Sequence, residues 1–74
     1  MSLTQLELIQ LHGQYRSVER QLVETTQQMY YQSEEEAKTA LQTQMAQLAE
    51  QRDSIKEQYI TGGGDPGQLE VDVA

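Results

Sequence analysis

Residues 8 to 29 carry the pattern that most restricts the fold. Leu8, Leu11, Tyr15, Val18, Leu22, Thr25 and Met29 follow one another at alternating steps of three and four. That is the heptad seam of an α-helix with another helix laid along it. A second seam runs downstream through Leu41, Met45, Leu48, Arg52, Ile55 and Tyr59, again at steps of four and three. Between Gly13 and Ile60 there is no Gly and no Pro, so the stretch at 30 to 37 is either a turn or part of one helix of about 55 residues, about 80 Å long.

Two features predict the turn. Ser33 and Glu36 have the S-x-x-E spacing of a capping box, and Glu34, Glu35 and Glu36 put negative charge where the first turn of a helix favours it. The first heptad also fails to continue. Extended forward it reaches Glu36, Thr39 and Thr43 and misses Leu41 and Met45, a phase break of about two residues that a continuous helix absorbs only by local unwinding. The expected fold is all-α: an antiparallel, coiled-coil-like two-helix hairpin over 1–61, with helix 1 at about 3–31 and helix 2 at about 34–60. A turn centred on Tyr31 and Gln32 would set Leu22 opposite Leu41, Val18 opposite Met45, Tyr15 opposite Leu48, Leu11 opposite Arg52 and Leu8 opposite Ile55, and a slip of one heptad repeats the pattern nearly as well.

The ends have their own signals. Thr4 and Glu7 form a T-x-x-E capping box for helix 1. Gly62 suits the left-handed position that closes helix 2, and Asp65-Pro66-Gly67 does not continue it. Residues 62–74 are expected as a flexible acidic tail, disordered unless Leu69, Val71 and Val73 dock on a partner, and removable without loss of the helices. Gly13 lies opposite the first seam and is expected to be a tolerated surface glycine.

Composition narrows the function. The 74-residue chain carries a formal net charge of −7, with −1 over residues 1–32, −3 over 33–60 and −3 over 61–74. That balance disfavours direct binding to nucleic acid or to an anionic membrane. There is no Cys, hence no disulfide framework and no thiolate metal site. No apolar run has the length of a membrane span, and no basic region precedes an apolar core at the N-terminus; a cytoplasmic protein is the expectation. His12 is the single histidine and reads as a helix-surface residue, since a metal or nucleophilic site needs several converging groups. The three consecutive glutamates point in different directions on one helical turn and make no acid/base pair. No catalytic residue, metal, cofactor or small-molecule substrate is expected.

A two-helix layer has no enclosed core, and its seam residues keep one wet side. Leu3, Leu6, Ile9, Val23, Tyr30 and Ile60 lie off both seams. These features imply a protein partner or a second copy that completes a bundle. The candidate partner-binding residues are Leu3, Leu6, Leu8, Ile9, Leu11, Tyr15, Val18, Leu22, Tyr30 and Tyr31 of the first half, and Leu41, Met45, Leu48, Ile55, Tyr59 and Ile60 of the second. Tyr30 and Tyr31 sit at the expected tip, where they either close the core or serve as exposed anchors. Arg52 is the one seam charge, expected to pack its stem and extend its head to solvent. The function expected is a non-enzymatic interaction module: an adaptor, a chaperone-like partner or an assembly subunit. The alternative is a small acidic inhibitor, of the viral anti-host kind, that blocks the basic cleft of a nucleic-acid enzyme.

Overall fold

The computed structural model describes residues 2–71 and contains two long helices and one short one: α1 (Gln5–Tyr31), α2 (Glu35–Thr61) and α3 (Pro66–Leu69). The long helices lie antiparallel as a hairpin. The longest dimension of the molecule is 46 Å, little more than the roughly 40 Å of one 27-residue helix and far short of one continuous rod.

Helix α1 begins as its local chemistry dictates. The Thr4 backbone N–H donates to Glu7 Oε1 at 3.0 Å, and the Glu7 N–H donates to Thr4 Oγ1 at 3.2 Å, so two otherwise orphaned donors satisfy each other's residues. The turn is built differently from the expected second capping box. Glu34, one residue past Ser33, is the N-cap of α2 and makes no side-chain cap bond. Instead, Gln32 Oε1 accepts from the N–H groups of Ser33 and Glu34 at 3.2 and 3.3 Å. Glu35 and Glu36 still load the first turn of α2 with charge.

The seams meet, but at a shifted level. Thr26, not Val18, reaches Met45 (Thr26 Oγ1 to Met45 Sδ 4.0 Å), and His12 lies beside Tyr59, with ring centroids 6.3 Å apart. This is close to the one-heptad slip of the expected pairing. Two causes add together: the turn is centred on Ser33 rather than on Tyr31 and Gln32, and helical side chains lean toward their own N-terminus. In an antiparallel pair that lean brings together residues further along both chains. Tyr15, Val18, Leu48 and Tyr59 are buried, while Leu8, Leu11, Leu22, Met29, Leu41, Met45 and Ile55 are half-buried. Thr25 is buried too, and its hydroxyl is satisfied by donating to the Gln21 carbonyl at 2.7 Å.

The largest departure is at the C-terminal end. In place of a flexible segment over the described residues, the chain turns back and docks. Gly62 keeps a right-handed conformation (φ −78°, ψ 0°), and the left-handed position falls one residue later, on Gly63 (φ 100°). The Gly64 N–H then donates to the Tyr59 carbonyl at 2.8 Å. Asp65 caps α3 by accepting from the Gly67 N–H at 3.0 Å, with Pro66 at the first helical position. This one turn carries Leu69 to 0% exposure against Tyr15 and Tyr59, with Leu8, Leu11 and Ile55 around them. Burial of such a leucine contributes about 1.5–3 kcal/mol. The open end is further closed by the Leu3 N–H, which donates to the Gly62 carbonyl at 2.9 Å. Asp72, Val73 and Ala74 of the expected tail lie outside the described residues, as does Met1.

Candidate interaction surface

The hairpin divides the expected partner-binding residues into two groups. One group is spent within the chain. Tyr15, Val18, Leu48 and Tyr59, with the half-buried Leu8, Leu11, Leu22, Leu41, Met45 and Ile55, pack α1, α2 and α3 together. Leu3 belongs with them: it is half-buried, and its side chain lies over Gly62, where a β-carbon would overlap it. The second group stays in solvent: Leu6, Ile9, Tyr30, Tyr31 and Ile60 are exposed.

Four exposed apolar residues of α1 fall on one line, with Tyr31 off it. Leu6 and Ile9 occupy its first turns, and Val23 and Tyr30 its second half, at steps that keep to the same heptad positions. Ile9 is 52% and Val23 57% exposed. Between them stand Gly13, Arg16 and Arg20. Arg16 pairs along the helix with Glu19, Nη1 to Oε2 at 3.3 Å. A β-carbon on Gly13 would meet nothing within 4 Å, in keeping with the expected surface glycine. This row lies on the face of α1 turned away from α2.

Helix α2 has a corresponding outer row of opposite character. Thr43, Ala46, Glu50, Asp53, Glu57 and Ile60 are all exposed and recur at steps of three and four. Its middle is acidic where that of α1 is basic. Arg52, on the inner seam, is half-exposed and donates from Nε to Asp53 Oδ1 at 3.2 Å.

At the tip, Tyr30 and Tyr31 are each 83% exposed and meet edge to face, ring centroids 5.2 Å apart. They do not close the core. Beside Tyr31 an open groove of about 820 Å³ runs between the helix ends, with Gln28, Gln32 and Leu41 in its wall.

His12 and Tyr15, whose side chains a surface-and-seam reading leaves ordinary, instead hold the returning segment. His12 Nε2 donates to the Val71 carbonyl at 2.5 Å, which requires the proton on Nε2. The Tyr15 hydroxyl donates to Glu70 Oε1 at 3.1 Å. Burial, then the neighbouring carboxylates of Glu19 and Glu70, hold the Tyr15 phenol well above its ordinary pKa of 10.0. At the start of α1, the Thr4 backbone N–H and then its side chain hold the Glu7 carboxyl below the ordinary value of 4.5. Among the described residues no three His, Asp or Glu side chains converge as metal ligands, and no helix is long and apolar enough to cross a membrane.

These features define an all-α helical hairpin with two solvent-facing rows and an exposed aromatic tip. The chain matches no family model, no curated protein and no solved structure, so its surface is read from chemistry alone.

Proposed function

We propose that this chain is a non-enzymatic protein-interaction module, an acidic helical hairpin that offers its outer faces to a partner helix, as an adaptor, chaperone-like partner or assembly subunit. The observation that carries the reading is the outer row of α1. Leu6, Ile9, Val23 and Tyr30 remain in water after the inner seam has been used to close the hairpin, and a helix with a second apolar line is one that meets a second neighbour. Aligned exposed apolar residues with charges between them suit recognition of a helix better than recognition of a small molecule. A photo-crosslinking residue placed at Val23, in the protein's own host, should give discrete protein adducts that Ile9→Asp removes. The same residue at Gln47 should give none. Equal labelling at both positions would overturn the reading.

The acidic row of α2 favours a second reading, in which Glu50, Asp53 and Glu57 block the basic cleft of a nucleic-acid enzyme. Binding of that kind would fade with salt and would be lost on replacing the three acids by their amides. Indifference to that replacement excludes it.

A further inference from the structure

We infer that the partner of the outer α1 row is a second copy of this chain, docked through the outer row of its α2. The inference rests on reading the outer rows as interaction surfaces, and it names their occupant from charge and level.

Within one hairpin His12 stands level with Tyr59 and Thr26 with Met45. A second copy placed alongside in the same orientation keeps those levels and lays its α2 antiparallel along the first copy's α1, about 10 Å away between axes. At that level Arg20 faces Glu50 and Arg16 faces Asp53. On either side of this charged middle, Val23 faces Ala46 and Ile9 faces Ile60. The chain has 5 Lys and Arg residues in all, and two of them stand in this one row, opposite acids at the matching heights.

The other ways of pairing two copies are worse. Setting α1 on α1 brings Arg16 and Arg20 of one copy against the same residues of the other. Setting α2 on α2 brings Glu50, Asp53 and Glu57 together. Like charges held face to face penalise both arrangements, so the charge pattern selects against them as well as for the α1–α2 contact. The two rows lie on opposite sides of the hairpin, so the contact is head-to-tail. One contact leaves a free row at each end, and growth continues until a ring closes or a filament forms. Arg20, Glu50 and Asp53 are exposed and Arg16 is half-buried, and the apolar area is small, so the assembly is weak and reversible.

The test is sedimentation velocity of the full chain over a wide concentration range at low salt. Wild-type protein should grow beyond dimers as concentration rises and should dissociate toward single chains in about 0.5 M salt. Arg20→Glu and Glu50→Arg, both at exposed positions and checked for unchanged helicity, should each raise the concentration needed for association at least about tenfold. The double variant carrying both reversals should regain association. A chain that stays single up to about 1 mM, one that stops at dimers, or a double variant that does not recover would overturn the self-contact. Single chains that still crosslink at Val23 to a different protein would overturn this inference alone. Single chains with no Val23 adduct would overturn the interaction reading as well.

Discussion

At Gly13 a β-carbon would stand in open space, whereas at Gly64 it would overlap the ring of Tyr59. The two glycines should therefore respond in opposite senses to the same substitution. Gly13→Ala should stabilise by about 0.5–1 kcal/mol through helix propensity alone. Gly64→Ala should destabilise, because Tyr59 is buried and has no room to give; urea unfolding of both variants checks the sign. Leu48→Ala and Leu69→Ala should each cost about 2–4 kcal/mol, and Gln47→Ala less than about 0.5. Tyr15 adds a pH dependence. Its folded pKa is raised, by burial first, so its contribution is fully present below the unfolded value near 10.0 and is lost as pH rises beyond it. Unfolding free energy should fall between about pH 9 and about pH 11.5, and Tyr15→Phe should flatten that fall. At this scale the sequence is legible where a signal is local. Thr4 and Glu7 are three residues apart and need no knowledge of the rest. The roles of His12 and Tyr15 depend on partners 59 and 55 residues away, which no spacing rule reaches.

The elements show why the long helices are readable from sequence and the short one is not. Each 27-residue helix repeats its apolar period several times, so the seam emerges from redundancy. The four residues of α3 have no period to repeat. The signal that was present is Asp65 followed by Pro66. It reads as a helix stop after α2, but the same pair, an N-cap then proline at the first position, also starts a helix. What decides between them is Leu69, for which the open end of the hairpin has a ready apolar place. Deleting residues beyond Gly64 should therefore lower the melting temperature by several degrees and raise the binding of a dye specific for exposed apolar surface, because Tyr15, Tyr59 and their neighbours lose their cover. An unchanged melt would show that α3 contributes nothing. Acid should also weaken the start of α1. The Glu7 carboxyl is held low by Thr4, so its contribution is present above its unfolded value and disappears as pH falls through the folded one. Circular dichroism between about pH 5 and about pH 2 should show fraying that Glu7→Gln makes less pH-dependent.

For the whole molecule, hairpin against rod is the coarsest distinction and the most directly measurable. Spin labels at Gln10 and Gln58, diluted with unlabelled chain, should report a short separation, against about 70 Å in a continuous helix. The break in heptad phase made this architecture legible, while the register was not, since neighbouring heptads offer near-equivalent pairings and the choice among them depends on where the turn falls and on the lean of the side chains. The closure of the open end has a consequence for the order of assembly. The turn joins residues only a few positions apart, but the bonds from His12 to Val71 and from Tyr15 to Glu70 span 59 and 55 positions. Loop closure costs more entropy the longer the loop, so the helices zip from the tyrosine tip and the return of Leu69 is the last event of folding and the first to reverse. Amide protons on Leu8 to Tyr15 should then exchange in two steps: a frequent local opening that frees only this end, and a rare one shared with the middle of α2.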